Sequence, residues 1–365
     1  ASPFVAVPNA PEEIAHAAPL AFEHGLLYLR RYREYERRLA LQLRRIAAQA
    51  VEGDIASVAE PFARLFPLPP AGEGVKADDR QARAAALALR RALLLVTGGP
   101  GTGKTTTIAR LLALRIAQAQ HANAAAPRIA LAAPTGRAAD RMAESLRRAI
   151  ARMEALGIDP ELLAALPREA STLHRLLGPI PDSPRFRHDA DNPLPFDIVV
   201  VDEASMVDLP LMCKLAEAVA EGAQLVLLGD ADQLPSVEAG DVLAAILAAA
   251  GPGDALAADD ARALRPLLGD APVEADSNGL HGHRVHLTRG WRQGEALDLA
   301  PLAEAVRAGD ADAALRLLRS GELSNVRFHE NVGDPLQARP QLLEHWRALA
   351  ALADPAEALR QANRL

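Results

Sequence analysis

The chain has 365 residues, half of them apolar, with only 3% aromatic residues, one cysteine and a net charge of −7. That length predicts about two domains, with aliphatic cores; the acidic balance excludes a surface that is basic all over, though not a local basic groove. The single Cys213 excludes an intrachain disulfide and fits a reducing cytoplasm, and no apolar run approaches the ~18 residues that span a bilayer.

In chain order, residues 1–22 are rich in proline and alanine and read as a linker. They carry no secretory signal and no initiator methionine, which suggests a trimmed or processed chain. Residues 26–50 are predicted to form a helix rich in arginine, with Tyr28, Tyr32 and Tyr35 at helical spacing on one face. That face is either a basic surface for nucleic acid or a partner subunit, or a packing face with solvated arginines around it. Residues 61–74 read as a second linker. From Asp79 the pattern alternates. The strand candidates 93–97, 129–133, 198–201 and 225–228 are short, continuous apolar runs, as in a parallel sheet buried on both faces. Residues 105–120, 137–153 and 209–220 between them have helical periodicity. The expected fold is an open, doubly wound α/β domain. Cys213, after Pro210, reads as a small buried helix residue. Residues after Gly251 read as loop. The run Val285-His286-Leu287 is expected to open a second, mainly helical domain, with helices near 296–307, 310–319 and 337–352. The expected division is 1–78, 79–284 and 285–365.

Three loops on this plan carry chemistry. Gly98-Gly99-Pro100-Gly101-Thr102-Gly103-Lys104-Thr105 directly follows a buried strand and opens a helix. Glycines there let backbone amides converge on phosphate oxygens, and the helix N-terminus adds positive partial charge. Lys104 would reach the terminal phosphates of a nucleoside triphosphate, and the Thr105 hydroxyl would sit on magnesium. Asp202 and Glu203 end the next-but-one strand. Asp202 would hold the magnesium, and Glu203 would polarise the attacking water as general base. Gly229-Asp230-Ala231-Asp232-Gln233 ends the following strand. There Gln233 suits a bond to a γ-phosphate or its water, while Asp232 could equally cap a helix. All three loops are expected on one edge of the sheet. His281, His283 and His286 match no recognised metal-ligand pattern and read as solvated loop histidines.

Six tracts in order resemble the motif set of the superfamily 1 DNA helicases. They are the phosphate loop, Ala133-Pro134-Thr135-Gly136-Arg137-Ala138-Ala139, Thr172-Leu173-His174-Arg175-Leu176-Leu177-Gly178, Val201-Asp202-Glu203-Ala204-Ser205-Met206, Gly229 to Pro235, and Leu287-Thr288-Arg289-Gly290-Trp291-Arg292-Gln293. The likeness is greatest to the RecD-like branch and covers about residues 26–307. It implies a RecA-like P-loop domain with the beginning of a second motor domain, ATP and magnesium as cofactors, and 5′ to 3′ movement on single-stranded DNA. It also implies cytoplasmic work in double-strand break repair, with RecB-like and RecC-like subunits as partners in an exodeoxyribonuclease V-like complex.

The resemblance further implies roles for single residues. Gly98, Gly99, Pro100, Gly101, Thr102, Gly103, Lys104, Thr105 and Thr106 would hold ATP. Gln81 resembles the glutamine that reads adenine, or is a solvated glutamine at a helix start. Arg292 resembles the arginine that crosses the cleft to the γ-phosphate. Pro134, Thr135, Thr172 and His174 resemble positions lining the DNA track; His174 could as well face the core and bond a backbone carbonyl. Residues 178–196 resemble the inserted strand-separating pin, or form a surface loop. The family's later motor motifs do not follow Arg307, and its N-terminal partner-docking domain is absent or reduced. The chain is therefore expected to be the central part of a longer protein, poor at hydrolysis alone. The rival readings are a stand-alone or relaxase-linked helicase and a structural subunit that binds nucleotide without motor activity.

Overall fold

A computed structural model describes residues 4–7, 18–67, 79–99, 101–230, 232–233, 236, 241–274, 279–288, 299–323, 326, 328–330 and 339–362. The chain divides into two units, Ala1–Arg292 and Gln293–Leu365.

The first unit begins with a small three-stranded sheet of β1 (Val5–Ala6), β2 (Leu20–Glu23) and β3 (Leu26–Leu29). The expected linker 1–22 therefore contributes strands. His24 and Gly25, with φ of 49° and 81°, make the tight reversal between β2 and β3. Positive φ at both positions suits a two-residue hairpin turn. The same turn takes residues 26–29 out of the expected helix, so Tyr28 pairs with Ala21 across a sheet while Tyr32 and Tyr35 stay on α1 (Arg30–Ala47). Three arginines of α1 are committed to packing, while Arg30, Arg31 and Arg44 are exposed. Arg38 grips Glu217 at 2.6 and 2.5 Å, Arg45 donates to the Val219 carbonyl at 2.8 Å, and buried Arg33 pairs with Glu23 at 2.8 Å. Helix α2 (Ala59–Leu65) carries Pro61 in its first turn, where the missing amide costs nothing. The expected second linker is helical there, and its residues 68–74 lie outside the described residues.

The main domain then alternates. It contains α3 (Arg80–Leu87), β4 (Leu93–Gly98), α4 (Lys104–His121), β5 (Ile129–Ala133), α5 (Gly136–Ala155), α6 (Pro160–Ala164), β6 (Ser171–Thr172) and α7 (Leu173–Leu177). There follow β7 (Ile198–Val201), α8 (Leu209–Ala218), β8 (Gln224–Gly229), α9 (Val242–Ala250), β9 (Leu256–Ala257), α10 (Ala258–Leu268), β10 (Val273–Glu274) and β11 (Arg284–Leu287). Six strands form one parallel sheet in the order β11-β4-β8-β7-β5-β6. Successive side chains leave it on opposite faces. Leu94, Val96, Val200, Val226 and Leu228 join one core with α3, α4 and α5, and Leu93, Leu95, Val199, Val201 and Leu227 join another with α1, α8 and α9. Both faces are covered, which is why these strands read as unbroken apolar runs. Cys213 lies buried on α8, as expected.

Two expectations fail in this region. Residues after Gly251 are not simply loop: α10 is held by Asp260, fully buried, whose two oxygens accept from Arg90 Nε and Arg91 Nε, each at 2.8 Å. Its sequence hides this because Asp, Gly and Ala favour both turns and helix starts. Asp260→Ala strips both guanidiniums of their partner and is expected to cost about 3 kcal/mol. A lower urea midpoint at unchanged slope would report it. The second failure concerns residues 285–287. They do not open a new domain but form the edge strand β11, paired with β4 from Arg284↔Leu95 to Leu287↔Gly98. The first compact unit accordingly extends past 284 to Arg292.

The described part of the second unit is helical, with α11 (Ala300–Arg307), α12 (Ala311–Ser320), α13 (Arg339–Ala350) and α14 (Pro355–Ala362). No helix of the described residues is long and apolar enough to cross a membrane.

Candidate active site

Parallel register sends every strand of the main sheet to the same rim. Thr97 lies opposite Gly229 and Val201 opposite Leu227, so the chain leaves β4, β7 and β8 side by side. The three polar loops start there.

The first loop leaves β4 at Gly98. A Cβ on this residue would lie 2.6 Å from the Leu287 carbonyl oxygen and 2.7 Å from Thr102 Oγ1, so only glycine fits between β11 and the turn. Gly101 and Gly103 have φ of 82° and 86°, the left-handed region. Thr102 Oγ1 donates to the Gly99 carbonyl at 2.9 Å and tightens the curl. Gly103 caps α4 without a side-chain bond, and no acid stands in that helix's first turn. The leading amides of an 18-residue helix therefore face the loop, which suits an anion. Lys104 Nζ lies over the loop, donating to the carbonyls of Gly98 and, at 3.3 Å, Gly99. Thr105 and Thr106, half-buried, complete the first turn. Pro100 lies outside the described residues. Gln81, at the start of α3, is not solvated as one expectation had it. It is buried, and its Nε2 donates to the Thr102 carbonyl at 2.9 Å, bracing the loop from beneath.

The second loop carries the acids. Asp202 Oδ1 accepts from the Glu203 amide at 2.9 Å. Burial, and then repulsion from Glu203, push the Asp202 carboxyl up from 3.8 to about 6, against the pull of the Glu203 amide and the Lys104 ammonium. Lys104 and Asp202 thus share one electrostatic neighbourhood. Glu203 has φ 53°, a left-handed conformation unusual for a side chain of this size. Its Oε2 is buried with no hydrogen-bond partner among the described residues, as is the Ser205 hydroxyl two residues on. Strain and unpaired acceptors of this kind gather at functional sites. Among the described residues no group of three His, Cys, Asp or Glu side chains could hold a metal. A cation here would have Asp202 and the Thr105 hydroxyl as protein ligands and share phosphate oxygens for the rest. Because the folded value of Asp202 lies above the ordinary one, folding takes up a proton at this group. The stability it contributes is present below pH 3.8 and is lost as pH rises through about 6. Cation affinity runs the other way. Magnesium-dependent nucleotide binding is expected to strengthen as pH rises through about 6, in titrations at fixed ionic strength, and Asp202→Asn should shrink that step to the part due to the terminal phosphate, whose second pKa is about 6.

The third loop is folded by its own acid. Buried Asp230 accepts from the Asp232 amide at 3.1 Å, and the Gln233 amide donates to the Asp230 carbonyl at 3.3 Å. Asp232 does not cap the next helix; Asp241 does, accepting from the Ala244 amide. The Ser236 amide donates to the Ser205 carbonyl at 3.1 Å, joining the second and third loops. Leu234 and Pro235 lie outside the described residues.

The histidines expected in a solvated loop instead hold the sheet edge. His283, buried, donates to the Leu93 carbonyl at 3.0 Å, and its basicity is lowered chiefly by that burial. His286 Nδ1 lies 3.0 Å from Thr97 Oγ1, and His281 pairs with Glu274 at 3.1 Å. Arg284 Nε donates to the same Thr97 hydroxyl at 3.2 Å. Neither Thr97 nor Arg284 carries a sequence signal beyond being polar residues in short apolar strands.

The remaining sequence candidates fall at the neighbouring strand ends. Ala133 pairs with Thr172, so Pro134 and Thr135 leave the rim beside Thr172 and His174. Both threonine hydroxyls are helix caps: Thr135 accepts from the Ala138 amide and Thr172 from the Arg175 amide, each at 3.2 Å. His174 is exposed and does not face the core; its ring lies 5.7 Å from that of Phe186. Arg292 and Arg289 lie outside the described residues.

Residues 81–239 match the family model of an AAA domain. The RecBCD enzyme subunit RecD of Mycobacterium tuberculosis H37Rv is 43% identical over 324 residues, 89% of this chain and 48% of that protein. That of Mycolicibacterium smegmatis is 42% identical over 339 residues, 92% of this chain and 52% of that protein. The ATP-dependent RecD2 DNA helicase of Deinococcus radiodurans is 35% identical over 246 residues, 65% of this chain and 30% of that protein. The chain thus spans about half the length of the RecD relatives it matches.

Proposed function

The chain is a homologue of the RecD helicase subunits with a RecA-like P-loop fold, and on that premise we propose that it carries the ATP-hydrolysing face of a 5′ to 3′ DNA motor. The parent protein would act as the RecD-like subunit of a RecBCD-like exodeoxyribonuclease V complex, with RecB-like and RecC-like partners, in cytoplasmic repair of double-strand breaks. The observation that carries this reading is the meeting of Lys104, Asp202 and the Gln233 loop on one rim of the sheet. In it the loop 98–106 cradles the triphosphate of ATP, and Lys104 pairs with its terminal phosphates. Asp202 and the Thr105 hydroxyl would hold magnesium, which when bound would supply neutralisation of phosphate charge. Glu203 takes the proton of the attacking water. Gln233 bonds the γ-phosphate or that water and reports cleavage to the neighbouring strand ends. Gln81 braces the loop and lies beside the base. Arg292, reached along the chain from β11, is assigned to the γ-phosphate.

Single-stranded DNA is assigned to the rim at Pro134, Thr135, Thr172 and His174. The capped N-termini of α5 and α7 there offer amides to a backbone, without sequence preference. Residues 178–196 are assigned as the strand-separating pin. Binding of oligothymidine should weaken steadily with added salt, log affinity falling by about 0.7 per phosphate contact for each unit of log salt. A salt-independent affinity would remove DNA from this rim.

The deciding experiment is an ATPase assay of the full-length protein, with and without single-stranded DNA and partners. DNA-stimulated turnover supports the motor; nucleotide-dependent assembly without it supports a structural subunit. The likeness to RecD2 keeps one further reading, a helicase that works alone. Unwinding by the isolated protein would favour it.

A further inference from the structure

Between α7 and β7, residues 178–196 form an arm with little regular structure that is nevertheless tightly strapped. Gly178, at φ 72°, turns the chain outward, and a Cβ there would lie 3.2 Å from the Arg187 side chain. Pro179 and Phe186 bridge antiparallel. The Arg187 amide donates to the Gly178 carbonyl at 2.8 Å, and the His188 amide to the Leu177 carbonyl at 3.0 Å. Farther along, Asp189 accepts from the amides of Asp191 and Asn192, and Asn192 Nδ2 donates to the Arg187 carbonyl at 2.7 Å. Outside these straps stands the tip, residues 180–185.

At the root, one ring meets two other elements. Phe186 lies 5.7 Å from the His174 ring, tilted by 60°, and 5.0 Å below Lys214 Nζ. That ammonium also donates to the Pro184 carbonyl at 2.5 Å, so one lysine grips both the root and the tip. Lys214 belongs to α8, the first helix after Asp202 and Glu203, and His174 stands two residues beyond Thr172. The arm is therefore seated on both the helix that follows the hydrolytic acids and the proposed DNA rim.

We propose that Phe186 is the positioning residue of this arm: its ring, held by His174 and Lys214, fixes the tip beside the rim so that strand separation, and not ATP turnover, depends on it. The inference rests on the DNA-motor reading above. A tilted aromatic pair and a cation–π contact together favour the seated arm by roughly 10- to 100-fold. Among the described residues, none of these hydrogen bonds and ring contacts reaches the phosphate loop or the acids; Phe186 and Leu194 also pack with the core that holds Val201 and Ala204, which is why ATPase is read beside unwinding.

The test uses the full-length protein with its partners, read by unwinding of a forked duplex and by DNA-stimulated ATPase. Phe186→Ala is expected to slow unwinding about tenfold while ATPase stays within about twofold. Phe186→Tyr, which keeps the ring, should restore unwinding, and Lys214→Met should give an intermediate loss. Parental unwinding by Phe186→Ala overturns the proposal. So does a joint fall of unwinding and ATPase that Phe186→Tyr fails to rescue, since Phe186 would then be core packing alone. Failure of the motor reading looks different: the parent itself would show neither unwinding nor DNA-stimulated turnover, and the role of Phe186 would fall with it.

Discussion

Lys104→Ala is expected to weaken ATP binding by at least 10- to 150-fold and to eliminate turnover. The lower bound follows from one charge-assisted hydrogen bond, about 1.5–3 kcal/mol, lost between the ammonium and a phosphate oxygen. The true loss is larger, because the same ammonium also faces Asp202 and holds that carboxyl's proton affinity down. Without it Asp202 binds a proton somewhat more tightly, since the ammonium is the smallest of the influences on that carboxyl. Alanine is the best helix former, so α4 should keep its start and the protein its thermal stability. Titration of the full-length variant with a fluorescent ATP analogue checks this. Binding as tight as the parent's would remove Lys104, and the phosphate-loop assignment with it.

Glu203→Gln separates binding from chemistry. The amide keeps the volume of the carboxylate but cannot accept the proton of the attacking water, a role worth typically 10²- to 10⁴-fold in rate. Turnover in the full-length protein should fall by about that factor, with ATP affinity changed only a few-fold. The buried Oε2 gives the expectation its geometry: the acceptor is already desolvated and has no donor among the described residues. If Glu203→Gln hydrolyses ATP at the parental rate, another group is the base.

Much of this was legible in the sequence, for physical reasons that can be named. The four central strands are buried on both faces, and each shows as an apolar run; the phosphate loop shows because only glycine tolerates the backbone at Gly101, Gly103 and Gly98. What stayed hidden depends on long-range partners. β11 reads like the start of a new domain because nothing local says that Val285 pairs with Val96. Helix α10 reads like loop because its anchor is two arginines some 170 residues earlier. His283 reads like a solvated residue because its partner, the Leu93 carbonyl at the start of the neighbouring strand β4, stands 190 residues earlier in the chain. Residues 26–29 read as the start of a helix because leucines at 26, 27 and 29 fit a helical stripe as well as a hairpin strand.

All strands of the main sheet run the same way, so every chain entry lies on the rim opposite the phosphate loop. The turn before β8 is there, with Glu221 exposed. The one native thiol, Cys213, is buried and its pKa is pushed up to about 12, mainly by burial, which leaves it inert to alkylation. Glu221→Cys therefore offers a single reactive handle for a fluorophore or a surface tether. Attached there, the molecule could be watched or held one copy at a time with its working rim turned toward solution.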